Sequence, residues 1–265
     1  MIERSHRPRK RFGQHFLHDP GVIQRIVAAI APAPGQRLVE IGPGRGAMTR
    51  PLLQAAGELD VVELDRDLID TLRAECAAHG TLRVHQGDAL KFDFCALTEA
   101  GDQRDRLRVV GNLPYNISTP LLFHLMEQVH CIEDMCFMLQ REVVQRMVAT
   151  PGSNGYGRLS VMIQYYCQAE QLFTVAAGAF QPPPKVESAI VRLVPHARPP
   201  VEVHDVGALS QLVAQAFSQR RKTLRNALRG QVDTDTMIAL GVDPTLRPER
   251  LTLAQFAALA NATRQ

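Results

Sequence analysis

The sequence predicts an α/β protein: a doubly wound, mostly parallel sheet with an antiparallel edge, followed by a small C-terminal helical domain. Three observations predict it. Short β-rich runs alternate with helical patterns from about residue 22 to 140, and the rhythm then breaks. After a proline cluster at Pro195, Pro199 and Pro200, the chain reads as helix alone. The domains are set at 1–200 and 201–265.

The first helix is VIQRIVAAI, where Val22, Ile23, Ile26, Val27 and Ile30 recur at helical spacing. RLVEIG, LDVVEL, TLRVHQGD, LRVVGN and MCFMLQ are strands; AMTRPLLQAA, LIDTLRAECAAH and TPLLFHLMEQV are helices among them. Pro51 falls near a first helical turn, where its missing N–H costs little. Strands separated by helices pair in parallel, and right-handed crossovers place helices on both faces. REVVQRMVA then reads as helix, TPGSNGYG as loop and LSVMIQYYC as helix. QLFTVAAGAF and AIVRLVP read as strands joined across QPPPKVES, an antiparallel addition at the sheet edge. From about residue 205, Leu209, Leu212, Val213, Ala216, Phe217, Leu224 and Leu228 form one apolar stripe.

Composition narrows the class. Of 265 residues, 45% are hydrophobic and 22% charged, as in ordinary globular proteins. No apolar run is long enough to cross a bilayer, and MIERSHRPRKRFGQHFL lacks the apolar core of a secretory signal. The five cysteines are odd in number and form no CxxC, which argues against a disulfide framework or zinc site and for a reducing cytoplasm. The net charge of +3 is small, but its placement is uneven. Arg4, Arg7, Arg9, Lys10 and Arg11 crowd one end; Arg220, Arg221, Lys222, Arg225 and Arg229 crowd another segment, with no acid between Gly207 and Gly230. Two such clusters suit a polyanion, although each alone is also what a solvated face looks like.

Ligands of doubly wound sheets bind beyond the carboxyl ends of the strands, and the informative residues lie there. Gly42, Gly44 and Gly46 follow the first strand and precede a helix, so the backbone can turn tightly and approach a ligand closely. The spacing is GxGxG rather than the GxGxxG of dinucleotide folds. Glu63 ends the second strand, where an acid can accept both hydroxyls of a ribose. Asp65 is set aside because the acids of DRDLID suit a helix start. Asp88 follows the third strand, where a carboxylate reaches an adenine amino group. Together they fit an adenosine-containing cofactor and do not separate NAD from S-adenosylmethionine.

After the fourth strand comes Asn112-Leu113-Pro114-Tyr115. This tetrad resembles the N/D-P-P-Y/F or N-L/I-P-Y/F signature of amino-methyltransferases, and the chemistry accounts for its residue types. Adenine N6 is a poor nucleophile because its lone pair is delocalised into the ring. The Asn112 side-chain oxygen and the Leu113 carbonyl can accept from N6–H and favour a pyramidal nitrogen. Pro114 holds these acceptors in place, and Tyr115 offers a stacking face to a flipped base. Neither a metal nor a covalent intermediate is required.

Over RKRFGQHFL, VEIGPGRGAMT, VELDRDL, GNLPYNISTPLLFHL, FMLQREVVQRMVA, YGRLSVMIQYY and FQPPPKVESAIVRL, the chain resembles the small-subunit ribosomal RNA adenine dimethyltransferases. The resemblance runs from residue 9 to about 194. It implies a Rossmann-like methyltransferase sheet, S-adenosylmethionine as cofactor, and dimethylation of two adjacent adenines in the 3′-terminal hairpin of small-subunit rRNA, late in ribosome assembly. It also implies a cytoplasmic monomer, with no membrane and no metal. It places His15 and Leu17 in the cofactor pocket with Gly42, Gly44, Glu63, Asp88 and Asn112; many relatives carry Asn where His15 stands. Phe180 would clamp the base opposite Tyr115, and Arg9, Lys10, Arg11, Arg220, Arg221, Lys222 and Arg225 would contact RNA. An Erm-type enzyme acting on large-subunit rRNA shares the glycine loop and tetrad, and a non-catalytic rRNA-binding assembly factor could share the fold. A nicotinamide oxidoreductase is disfavoured by the GxGxG spacing.

Overall fold

The structure, a computed structural model, describes residues 15–98, 106–219 and 221–263. Contacts divide the chain into two compact units, 1–144 with 170–195, and 145–169 with 196–265. The division differs from the expected 1–200 and 201–265 in two respects: residues 145–169 group with the C-terminal helices, and the second unit resumes at residue 196. The helix and loop of 145–169 are the stretch where the β/α rhythm fails, and the helix Arg158–Tyr166 packs against the helices Val206–Phe217 and Leu253–Asn261.

The first unit begins with a two-residue strand, β1 (Phe16–Leu17), and helix α1 (Pro20–Ile30). Asp19 starts α1 by accepting from the Val22 amide at 3.0 Å, and Pro20 occupies the first turn, where its missing N–H is harmless. Then follow β2 (Arg37–Ile41), α2 (Thr49–Ala56), β3 (Glu58–Glu63), α3 (Arg66–Cys76) and β4 (Thr81–Gln86). Next come β5 (Leu107–Asn112), α4 (Ser118–Glu127), β6 (Ile132–Gln140) and α5 (Arg141–Met147). After α6 (Arg158–Tyr166), which belongs to the second unit, come β7 (Cys167–Val175), β8 (Phe180–Gln181) and β9 (Ser188–Pro195).

Seven strands form one sheet in the order β4-β3-β2-β5-β6-β9-β7. The β4, β3, β2, β5 and β6 ladders are parallel, and β9 runs antiparallel to β6. The mostly parallel sheet and its antiparallel edge are thus as expected. Strands β2, β5 and β6 are nearly continuously buried, as parallel strands covered on both faces must be. The strand order reverses between β2 and β5, and in such sheets a ligand crevice opens at the reversal. Gly111 permits this junction: a methyl group there would lie 2.6 Å from the Ile41 carbonyl oxygen.

Two expectations change. The single strand expected over 171–180 is broken by a turn at Ala177–Ala179, and Phe180–Gln181 pairs antiparallel with β1 instead of joining the large sheet. Two-residue strands carry too little periodicity to be read in advance. Cys95 and Cys131 are joined by a disulfide across 36 residues, with Cα atoms 5.5 Å apart. Their proximity comes from two short turns on neighbouring segments, which linear spacing does not reveal. Cys76, Cys136 and Cys167 are not disulfide-bonded and are buried, as small core residues.

The second unit holds α7 (Val206–Phe217), α8 (Leu224–Ala227), α9 (Thr234–Ala239) and α10 (Leu253–Asn261); α7 packs against α6, α8 and α10, and α10 also packs against α6. The expected stripe is the buried face: Leu209, Leu212, Val213, Ala216, Leu224 and Leu228 are covered, and Phe217 packs against Tyr156 and Phe256. Among the described residues no helix is long and apolar enough to cross a membrane.

Candidate functional site

A cavity of about 340 Å³ opens at the carboxyl ends of β2, β3, β4 and β5. His15, Leu17, Gly42, Gly44, Glu63, Asp88, Asn112, Leu113, Pro114 and Tyr115 all line it. Its floor is the turn after β2. Gly42, Gly44 and Gly46 there have φ of 67°, 58° and 77°, a region that disfavours any residue with a Cβ. A Cβ on Gly44 would also press on the Phe16 ring at 3.3 Å. Phe16 was not singled out from sequence. It sits between this glycine and the Arg45 guanidinium, whose carbon lies 4.5 Å from the ring centroid, and so fastens the N-terminal segment to the glycine loop.

Glu63 ends β3 with both carboxylate oxygens engaged: Oε2 accepts from the Gly44 amide at 3.2 Å and Oε1 from the Asp65 amide at 2.8 Å. Burial pushes its pKa up, and those two amide bonds oppose the shift. Asp65 caps α3, accepting from the Asp67 amide, the helix-start role its sequence context implied. One Asp88 oxygen is tied to its own loop by the Leu90 amide at 3.0 Å.

Glu40, missed from sequence, also lines the cavity. It is 1% exposed and takes a 2.6 Å hydrogen bond from the Thr49 hydroxyl. Burial, with the neighbouring charge of Glu63, pushes its pKa up to about 7, while the Thr49 hydrogen bond opposes the shift. The available signal was an acid inside the apolar run Leu38-Val39-Glu40-Ile41.

The tetrad forms the opposite wall. Asn112 Nδ2 donates to the His15 carbonyl at 3.2 Å, which orients the amide and leaves Oδ1 as its acceptor. His15 Nδ1 lies 2.8 Å from the Pro182 carbonyl oxygen; a carbonyl accepts only, so Nδ1 carries the proton and donates. The His15 ring stacks on Tyr115 with centroids 5.8 Å apart. The Tyr115 hydroxyl meets the Ser188 hydroxyl at 2.6 Å. Ser188 is wholly buried at the start of β9 and was also missed; a lone serine in KVES carries no periodic or motif signal.

Phe180, expected to clamp the base opposite Tyr115, is 2% exposed and lies among core residues including Leu17, Ile26 and Val175. It begins β8, whose pairing with β1 sets Phe180 opposite Leu17. Arg9, Lys10, Arg11 and Arg220 lie outside the described residues. Arg221, Lys222 and Arg225 are exposed, the last on α8. Among the described residues, Cys95, His130 and Cys131, away from the cavity, bring their ligand-type atoms within 4.8 Å of one another.

The sequence profile described as "Ribosomal RNA adenine dimethylase" matches residues 5–265. The chain is 59% identical to the "Ribosomal RNA small subunit methyltransferase A" of Pseudomonas aeruginosa over 257 residues, 97% of this chain and 95% of that one. It is 59% identical to the protein of the same name from Nitrosococcus oceani, over 96% of each chain. Among solved structures it is similar to a dimethyladenosine transferase from Plasmodium falciparum, with a TM-score of 0.77, 26% identity, and 92% of this chain and 96% of that one covered. It is also similar to the 23S rRNA methyltransferase ErmE, with a TM-score of 0.70, 25% identity, and 94% and 100% covered.

Proposed function

The chain belongs to the ribosomal RNA adenine dimethylase family, matched over residues 5–265, and on that premise we propose that it dimethylates N6 of two adjacent adenines in the 3′-terminal hairpin of small-subunit rRNA, late in ribosome assembly. The observation that carries the proposal is the tetrad opening into the same cavity as the glycine loop and Glu63. Identity of 59% to small-subunit enzymes, against 25% to a large-subunit one, favours the small subunit as substrate.

S-adenosylmethionine supplies an electrophilic methyl on a cationic sulfur. The chain's own groups fit this cofactor: glycines that admit close approach, and carboxylates at two strand ends. Glu63 holds the ribose hydroxyls with the lone pairs its two amide bonds leave free, and Asp88 accepts from the adenine amino group. Asn112 Oδ1 and the Leu113 carbonyl accept from N6–H of the target base, directing its lone pair toward the methyl. Tyr115 stacks on the flipped base. Arg221, Lys222 and Arg225, with Arg9, Lys10, Arg11 and Arg220, hold RNA phosphates. The protein works in the cytoplasm as a monomer.

The test is incubation of the protein with labelled S-adenosylmethionine and undermethylated small subunits, followed by mapping of the label. Dimethyladenosine at two adjacent 3′-terminal positions supports the proposal. Label only on large subunits favours an Erm-type activity, and no label favours a binding factor. Glu63→Ala is expected to weaken cofactor binding by about 1–3 kcal/mol, the range for a lost hydrogen bond to a charged group. Unchanged calorimetric affinity in a folded variant removes Glu63 from the ribose site. Replacing Arg221, Lys222 and Arg225 with Gln should reduce the log–log salt slope of RNA binding by about 0.7–0.9 for each lost phosphate contact. An unchanged slope returns the segment to a merely solvated surface.

A further inference from the structure

Away from the cofactor cavity, Cys95 and Cys131 close a covalent link that the methyl transfer does not use. It joins a short turn seven residues beyond Asp88 to the segment just after α4. Gln128 organises both sides. Its side-chain oxygen accepts from the Phe94 and Cys95 amides at 2.7 and 3.3 Å, and its carbonyl oxygen lies 3.1 Å from Cys131 Sγ. The Cys131 amide also donates to the Gln128 carbonyl at 3.2 Å, so the two segments are held near each other by amide hydrogen bonds independent of the disulfide. Cys95 is half-buried, His130 is exposed, and His130 Nε2 lies 3.5 Å from Cys95 Sγ. The other three cysteines are different: all are buried, and burial pushes the Cys136 and Cys167 thiols up to about 12 and raises that of Cys76. A solvent-borne oxidant thus meets one accessible thiol with a base beside it and a second sulfur within reach.

We propose that Cys95 and Cys131 form a reversible oxidative modification site, oxidised by a peroxide and reduced by a dithiol, with His130 as the base that activates Cys95. His130 Nε2 takes the proton of the Cys95 thiol. The thiolate attacks one oxygen of hydrogen peroxide; the S–O bond forms, the O–O bond breaks, and the departing hydroxide takes the proton from His130 to leave as water. The Cys131 sulfur then attacks the Cys95 sulfenic acid. The S–S bond forms, the S–O bond breaks, and the hydroxide leaves as a second water with the Cys131 thiol proton. In sum, two thiols and one peroxide give one disulfide and two waters. A dithiol returns both thiols and becomes its own disulfide.

The experiment treats the fully reduced chain with equimolar hydrogen peroxide, counts free thiols and maps the peptides. Loss of two of the five thiols, a Cys95–Cys131 linked peptide and full recovery with dithiothreitol are expected. In Cys131→Ser the sulfenic acid should persist on Cys95 and be trapped by dimedone. In His130→Ala, alkylation of Cys95 by iodoacetamide at neutral pH should fall by about tenfold, the effect of one pKa unit on the thiolate fraction. The proposal is overturned if the thiols survive peroxide, if Cys76, Cys136 or Cys167 oxidise first, or if His130→Ala leaves alkylation unchanged. It also fails if the reduced protein retains one zinc ion through chelation and resists peroxide, since the three side chains would then be a metal site.

Discussion

Asn112→Ala is expected to lower single-turnover methylation of small subunits by about 10²–10³-fold with cofactor saturating, the loss typical of one preorganised polar contact. The reason is geometric. Asn112 Nδ2 is committed to the His15 carbonyl, so the side chain presents an oxygen to the cavity without having to reorient. Asn112→Asp keeps an oxygen there and should retain clearly more activity than Ala, although it loses the donor that faces His15. Tyr115→Ala should impair capture of the base. Tyr115→Phe keeps the stacking face but strands the buried Ser188 hydroxyl, so its activity should fall between wild type and Ala. An Asn112→Ala variant within about tenfold of wild type would refute the acceptor mechanism.

The second large effect is on stability. Arg108 on β5 is 6% exposed and grips Asp134 of β6 with two hydrogen bonds, Nε to Oδ1 at 2.8 Å and Nη2 to Oδ2 at 3.0 Å. It also donates to the Ile30 and Ala31 carbonyls at the end of α1, at 2.7 and 3.2 Å, and to Gln36 Oε1 at 2.8 Å. Arg108→Ala would leave a buried carboxylate with only Arg192, at 3.0 Å, and would orphan the helix-end carbonyls. A loss of about 3–5 kcal/mol is expected in urea unfolding, the range for breaking a buried pair from one side. Arg108→Lys should recover little, because an ammonium cannot span five acceptor atoms with one planar fork. A loss under about 1 kcal/mol would mean that Asp134 relaxes to solvent.

What the sequence revealed follows from what its periodicities encode. The parallel strands are apolar and punctuated by helices, so β2 through β6 were legible, while the strand order that sites the crevice came only from the structure. Gly42, Glu63, Asp88 and Asn112 were legible because each stands at a strand end, where an unusual residue type is conspicuous. Features made by pairs of distant residues were not. The β1–β8 ladder has two residues per strand, Ser188 matters only through Tyr115, and Cys95 meets Cys131 only after α4 has folded back. Glu40 was hidden because its strand is read for hydrophobicity, and the burial of Phe180 was hidden because a motif gives a residue's place along the chain but not the environment of its ring.

The wall around Asn112 has a consequence for synthesis. His15 bonds Pro182 across 167 residues, Asn112 bonds the His15 backbone across 97, and Tyr115 bonds Ser188 across 73. A ribosome making this chain extrudes the glycine loop, Glu63 and the tetrad first, but Pro182 and Ser188, the partners of His15 and Tyr115, emerge only long after the tetrad, Ser188 73 residues past Tyr115. Closing loops of this length late is slow. Nascent chains and fragments ending before residue 180 therefore carry the reactive side chains without the frame that aims them, and should be silent toward the RNA of the machine that is making them.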